Sequence, residues 1–226
     1  MKIRVPLLLS LLVVAAMAAL SAWAWAVIPG AARIAVHFDA SGVPNGFDDK
    51  RHALLMLPLM ALGLTVLLSA IPFIEPRRMN LAASAKFYKV VWVGVILVLA
   101  FAHTSVVLTA LHVPVDISHT TTVAVALLFI VIGNYLGKTR SNFFAGVRTP
   151  WTLSSDYSWE KTHRLTGRLF MLTGAATLIA CFALPPTITA AILFGGAIAS
   201  SLIGIGASYL YWRRDPSRHS SDSRPE

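Results

Sequence analysis

The sequence has 226 residues, of which 56% are hydrophobic and only 13% are charged. This composition excludes a soluble domain of this length and indicates an integral membrane protein. A formal charge of +9 would suggest nucleic-acid binding in a soluble protein. Here the Lys and Arg residues lie between apolar segments, where they set membrane orientation. The single cysteine, Cys181, lies inside an apolar segment and can form no intramolecular disulfide.

Six apolar segments meet or approach the roughly 20 residues that a helix needs to cross a bilayer. They run from Val5 to Ile28, Ala53 to Ile74, Val90 to Leu111, Ile117 to Leu136, Leu169 to Leu184 and Ile188 to Trp212. We therefore predict an all-α integral membrane protein with about six transmembrane helices. The fifth segment is short, and Arg168 is expected to extend its side chain to the interface.

The basic residues predict an orientation. If the N-terminus faces the cytoplasm, only Arg33, Lys50 and Arg51 of the 19 Lys and Arg residues lie outside. This asymmetry predicts that both termini are cytoplasmic. In an alternative reading, Lys2, Arg4 and the triplet Ala22-Trp23-Ala24 form a cleaved signal peptide. The apolar stretch continues past that triplet without a polar region, which favours a retained helix.

The external loop, residues 29–52, is expected to be an ordered, hairpin-like flap. Apolar residues alternate at Ile34, Val36 and Phe38, and reversal signals are provided by Gly42, Pro44 and the Asn45-Gly46 pair. The flap is either a simple connector or a rigid outward surface that meets a ligand or peptide. Several His and Asp residues lie on this side, but their irregular spacing predicts no metal site: His37, His52, His112, His119, Asp39, Asp48 and Asp49.

Three features of the spans bear on function. No Asp, Glu, Lys or Arg lies well inside them, which disfavours an ion-coupled pump. His103, in the third span, is expected to be a neutral histidine bonded to a neighbouring helix rather than a switch. In the last span Gly196, Ser200, Gly204 and Ser208 recur every four residues and form a small-residue face. That face suits either a dimer interface or packing within the bundle, and the latter is favoured.

The internal loop, residues 138–168, is the longest polar segment between spans. Pro150 forces Thr149 out of helical geometry, so an irregular turn is predicted from Gly146 to Trp151, holding Arg148. Ser154, Ser155 and Asp156 are expected to cap a helix with one face formed by Trp159, Thr162, His163, Thr166 and Phe170. Three roles suit this loop: membrane anchoring, docking of a cytoplasmic protein and, ranked last, an enzyme site using His163.

The loop carries the pattern Asn142-x-x-x-Gly146-x-Arg148-Thr149-Pro150-Trp151-Thr152-Leu153, followed by Trp159-x-x-Thr162-His163-Arg164-x-x-Gly167. We refer to these residues as the hallmark. The pattern resembles the hallmark of the SdpI family of bacterial membrane immunity proteins. The flap, with His37, Phe38, Gly42, Pro44 and Gly46, is similar to the external loop of the N-terminal membrane domain that precedes this hallmark in many relatives. The resemblance divides the chain into an N-terminal membrane domain (1–112), an SdpI-like region (113–212) and a polar cytoplasmic tail (213–226).

The resemblance implies a multi-pass protein of the bacterial plasma (inner) membrane that confers immunity to a secreted, membrane-active peptide toxin. It implies no enzymatic activity and no cofactor. The flap would face the toxin, and the hallmark would sense binding or recruit a small transcriptional autorepressor from the cytoplasm. The alternative is a membrane transporter or lipid-linked enzyme that shares the fold.

Overall fold

The computed structural model describes residues 1–217, so most of the predicted polar tail, residues 218–226, lies outside the described residues. The described chain forms eight helices and two strands. In chain order they are α1 (Arg4–Val27), β1 (Arg33–Phe38), β2 (Pro44–Asp49), α2 (Lys50–Ile74), α3 (Arg78–Ala83), α4 (Ala85–Ala110), α5 (Ile117–Leu136), α6 (Pro150–Ser154), α7 (Asp156–Cys181) and α8 (Pro186–Arg213).

Five helices, α1, α2, α4, α5 and α8, are long and apolar enough to cross a membrane by length and composition. This confirms the all-α multi-pass fold and matches five of the six predicted spans. The remaining one, Leu169–Leu184, forms the apolar half of α7, which packs along both α5 and α8. α7 is not among the five because its first half carries charges such as Glu160 and Lys161. α7 ends at Cys181, before the predicted boundary, and a short turn then leads to Pro186.

The N-terminal bundle is held by buried contacts between α1, α2 and α4. Trp92 of α4 is completely buried with Met17 and Ala61 from the other two helices. His103 of α4 lies 3.0 Å from the Ser21 hydroxyl, which donates to the Leu54 carbonyl at 2.7 Å. Because the hydroxyl proton is used in that bond, the His103 ring nitrogen donates to Ser21. His103 therefore joins three helices, as expected for a structural histidine.

The second bundle, α5, α7 and α8, depends on small residues. A Cβ on Gly133 of α5 would lie 2.4 Å from the Gly167 carbonyl oxygen of α7, so these two helices touch through their backbones. The small-residue face of α8 meets α7 of the same chain. Its contacts are Gly196 and Ser200 with Thr173, Gly204 with Thr166, and Ser208 with Ser158. This geometry is packing within the bundle, the favoured alternative, and leaves that face unavailable to a second copy.

The two strands form an antiparallel hairpin, as the alternation in the external loop predicted. Its turn contains Gly42 at φ +86°, a conformation that glycine adopts without strain. Pro44 and the Asn45-Gly46 pair, also predicted as reversal signals, instead lie in β2, where Gly46 pairs with His37. The Ser118 hydroxyl at the start of α5 donates to the Ala40 carbonyl at 2.7 Å and fixes the hairpin to the bundle. α2 follows β2 directly, because the Asp49 side chain accepts from the His52 amide at 2.9 Å and caps the helix. The helix thus begins at Lys50 rather than at the predicted Ala53.

Candidate functional site

The hallmark lies at the end of the bundle opposite the hairpin and is organised around Asn142. This side chain is completely buried. Its amide nitrogen donates to the Arg140 carbonyl at 2.8 Å, and its oxygen accepts from the amides of Phe144 and Ala145 at 3.1 and 2.8 Å. Because these backbone groups of the loop all form hydrogen bonds with this one side chain, Asn142 fixes the path of the chain after α5.

The turn that follows passes close to α7. Gly146 has φ +117°, and a Cβ there would lie 2.3 Å from His163 Nε2. Thr149 is extended, which confirms the predicted effect of Pro150. The irregular turn was predicted to continue to Trp151, and this is wrong because Pro150 begins the short helix α6. Thr149 and Thr152 form a reciprocal capping box at its start, with bonds of 3.0 and 3.1 Å.

His163 connects this turn to α7. Its ring stacks on Trp159 at a centroid separation of 4.0 Å. His163 Nδ1 donates to the Trp159 carbonyl at 2.7 Å, because that oxygen can only accept, and Nε2 accepts from the Val147 amide at 2.9 Å. The ring is therefore neutral with its proton on Nδ1. Burial lowers the pKa of His163 to about 4, against an ordinary value of 6.5.

This geometry does not suit an acid or base. Both ring nitrogens of His163 are engaged, and the side chain is completely buried. Glu160, considered as a carboxylate partner, instead forms an ion pair with Arg164 at 2.7 Å on the exposed side of α7. Within residues 1–217, no group of His, Cys, Asp or Glu side chains could hold a metal ion.

The start of α7 and its buried face agree with the prediction. The Ser155 hydroxyl caps it by accepting from the Ser158 amide at 2.9 Å. The face predicted for this helix is buried at Trp159, Thr162, His163 and Thr166, with Phe170 half-buried.

The hallmark was predicted to sense toxin binding or to recruit a partner, and burial decides which of its residues could contact one. Because Asn142, Trp159, Thr162 and His163 are at most 2% exposed, they cannot touch a cytoplasmic partner in this conformation. Gly167 is covered by α5. The hallmark side chains that remain accessible are Arg148, Pro150 and Arg164, with Trp151 half-buried against Tyr209 at 5.1 Å between ring centroids.

The segment from Glu75 to Asn80, which follows α2 and includes the start of α3, holds the hallmark in place and was not predicted from the sequence. Glu75 is completely buried, and its carboxylate accepts from the amides of Phe143 at 3.0 Å and Arg77 at 2.8 Å. Arg77 donates to the Ser141 hydroxyl and to the Leu153 carbonyl, and Asn80 donates to the Ser141 carbonyl at 2.8 Å. We call Glu75, Arg77 and Asn80 the clamp. A lone carboxylate at the end of an apolar segment was the available signal.

The flap presents a different surface at the other end. Asp39 accepts from the amides of Ser41 and Val43 at 2.9 Å, and its hydrogen bond with the Ser41 hydroxyl is the main reason its pKa lies below the usual value. His37 Nδ1 lies against the Asn45 side-chain oxygen. Gly46 passes so close to His37 that a Cβ would lie 2.8 Å from His37 Cβ. Among the predicted flap residues, His37 and Pro44 are exposed, while Phe38, Gly42 and Gly46 are partly covered.

Taken together, the fold and site define a helical multi-pass membrane protein with a polar hallmark clamped at one end and a rigid hairpin at the other. Residues 138–211, which contain the hallmark, α7 and nearly all of α8, match the SdpI/YfhL protein family. This match confirms the resemblance drawn from the hallmark. Residues 12–62 match a domain of unknown function, DUF1648. No curated protein and no solved structure matches the chain.

Proposed function

We propose that the protein is an immunity protein of the bacterial plasma membrane that protects its cell from a secreted, membrane-active peptide toxin. The observation that carries this proposal is the SdpI/YfhL match over the complete hallmark. The toxin would meet the flap at the accessible His37 and Pro44, on a hairpin fixed to α5. Both termini would be cytoplasmic, because all but three of the 19 Lys and Arg residues are assigned to the hallmark side.

The signalling part of the proposal concerns the accessible hallmark surface of Arg148, Pro150, Trp151 and Arg164. Toxin binding would favour one of two packings of the bundle, and this surface would recruit a small transcriptional repressor in that packing only. Such a mechanism requires that the toxin bind the two packings with different affinities. The deeply buried Trp159 and His163 would then support the surface without contacting the repressor.

Protection is tested by expressing the chain in a sensitive bacterium and measuring survival under membrane-active peptide toxins. We expect the wild type to protect, and Arg148→Ala or Trp151→Ala to lose protection or signalling at an unchanged level of membrane insertion. Arg140→Ala is the matched control. Arg140 is also exposed, and its hydrogen bonds within the protein are made by its backbone, which the substitution keeps. Unchanged protection and signalling in both hallmark variants would contradict a functional surface.

The orientation is tested separately by cysteine labelling of intact cells. Cys181 is buried and serves as the background. A membrane-impermeant thiol reagent should modify Val43→Cys in the flap, which is 56% exposed, but not Arg148→Cys. After the membrane is permeabilised, Arg148→Cys should also react. Modification of Arg148→Cys from outside intact cells would reverse the proposed topology.

A further inference from the structure

A groove of about 410 Å³ lies between α5, α7 and α8, directly beside the hallmark turn. Its volume falls within the roughly 300–1,000 Å³ typical of small-molecule sites. Each of the three helices contributes two lining residues one turn apart: Ile132 and Leu136, Thr166 and Phe170, and Ser201 and Ile205.

The direction of the helices orders these residues by depth. α5 and α8 run towards the hallmark end, whereas α7 runs away from it. Leu136, Thr166 and Ile205 therefore lie nearer the hallmark, and Ile132, Phe170 and Ser201 lie about 6 Å deeper, the rise of one helical turn. The wall of the groove is mainly apolar, with its one cationic residue, Arg148, at the hallmark end.

One polar group at the opening of the groove has donors that no protein group uses. Arg148 is exposed and donates from one guanidinium nitrogen to the Phe143 carbonyl at 2.9 Å. In the part of the chain that the structure describes, its other N–H groups have no protein partner. The Thr166 hydroxyl also lacks a partner among the described residues, but it is enclosed against Gly204 of α8, where a Cβ would lie 2.4 Å from its oxygen, and it does not open into the groove. A ligand that supplies acceptors to Arg148 and an apolar chain deeper in the groove would match this lining.

We propose that this groove binds an anionic phospholipid of the surrounding membrane. The lipid phosphate accepts hydrogen bonds from Arg148, and the start of one acyl chain lies deeper in the groove against Ile132 and Phe170. Arginine suits phosphate because its planar group donates several parallel hydrogen bonds. A membrane lipid fits better than a soluble phosphate compound because α8 beside Ser201 presents exposed apolar residues such as Leu202, which is 64% exposed.

This inference does not depend on the immunity proposal, because the site would bind lipid whatever partner the flap meets. It gives the hallmark arginine a ligand and gives Gly146 a second role. The turn at Gly146 brings the backbone against His163 and so places Arg148 at the opening of the groove.

The test uses the full chain, purified in a mild detergent, with lipid adducts counted by native mass spectrometry during titration with phosphatidylglycerol. Arg148→Gln should weaken phosphatidylglycerol binding about tenfold, the effect of losing one charge-assisted contact. Arg140→Gln, an exposed arginine outside the groove, should bind as the wild type does. Diacylglycerol, which lacks the phosphate, should bind the wild type no better than Arg148→Gln binds phosphatidylglycerol.

A second pair of variants tests the groove itself. Ser201 is exposed and its hydroxyl bonds only to the Ala197 carbonyl of its own helix at 2.8 Å, so Ser201→Phe fills the deep end without disturbing the hallmark. Ser201→Phe should lose the adduct and Ser201→Ala should keep it. Each variant must elute and melt as the wild type does, and if Arg148→Gln fails this requirement the Ser201 pair decides alone.

Three outcomes would overturn the proposal. One is equal phosphatidylglycerol binding by Arg148→Gln and Arg140→Gln when both are folded. Another is an adduct that survives Ser201→Phe. The third is displacement of phosphatidylglycerol by millimolar inorganic phosphate, which would make this a site for a soluble phosphate compound.

Discussion

Acidification should destabilise the protein through one residue, His163. Its ring is completely buried, neutral and bonded at both nitrogens. Protonation would place a hydrogen on Nε2 facing the Val147 amide, so a donor would oppose a donor and the hallmark turn would lose its attachment to α7. Burial therefore lowers the pKa of His163 to about 4 in the folded protein, against 6.5 for an exposed histidine.

The direction in which stability changes with pH follows from comparing proton binding by the folded and the unfolded protein. Above pH 6.5 neither state binds the proton at His163, and the full stability is present. As the pH falls from 6.5 towards 4, the unfolded chain takes up the proton and the folded protein does not, so stability is lost across this window. Each pKa unit corresponds to about 1.4 kcal/mol, which gives a total loss of about 3 kcal/mol. About 2 kcal/mol of it should be lost by pH 5.

The assay is unfolding of the purified protein in detergent, by heat or by titration with a denaturing detergent, at pH 7, 6 and 5. His163→Gln removes the titrating group and keeps an oxygen that can accept from Val147. The wild type should lose about 2 kcal/mol more than His163→Gln between pH 7 and 5. Carboxylates such as Asp39 and Asp48, whose pKa values are lowered by hydrogen bonds, titrate in both proteins and cancel. Parallel stability curves for the two proteins would refute the assignment of His163 as a buried neutral group.

Three further substitutions test the packing. Gly146→Ala should cost about 1–3 kcal/mol, because it combines a strained φ with overlap on the imidazole, and thermal melting would measure it. Gly133→Ala should lower the melting temperature by forcing α5 and α7 apart, whereas Gly195→Ala, which has open space around it, should leave that temperature unchanged or slightly higher. Glu75→Gln should cost about 1.5–3 kcal/mol and speed proteolysis of the loop at 139–149, while the exposed Glu160→Gln should not; equal cleavage in both would contradict the clamp.

Local patterns in the sequence were sufficient to predict the six long helices, the hairpin and the cap of α7, but not the short helices α3 and α6. Hydropathy located five of the spans because the bilayer requires long apolar segments, and alternation at Ile34, Val36 and Phe38 identified β1. The face of α7 was correct because helical periodicity alone groups Trp159, Thr162 and His163. Each of these predictions depends on residues only a few positions apart.

The surroundings of the hallmark could not be predicted in the same way. Periodicity identifies a face but does not say whether lipid, solvent or protein covers it, so Trp159 and His163 were assigned to a partner surface although they are buried. The clamp joins Glu75 to Phe143 although α3, α4 and α5 lie between them in the sequence, and no local pattern specifies such a contact. Arg77 was counted only among the basic residues that set the membrane orientation, because its hydrogen-bond partners in the hallmark loop are equally far away in the sequence.

The clamp changes the proposed mechanism mainly by suggesting how the flap at one end of the molecule could act on the hallmark at the other. In the proposed mechanism, a change in the packing of the bundle carries the effect of toxin binding to the hallmark. α2 offers a shorter connection, since it is capped by Asp49 at the end of β2 and is followed, after Ile74, by Glu75 on the Phe143 amide. Under the proposed mechanism, a displacement of the hairpin would move the first turn of α2, and the helix would pass this shift towards Glu75. The carboxylate of Glu75 would then either keep or lose its bond to the loop that holds Arg148. Because a completely buried carboxylate without its donors is costly, toxin binding would have to supply the free energy that breaks this contact.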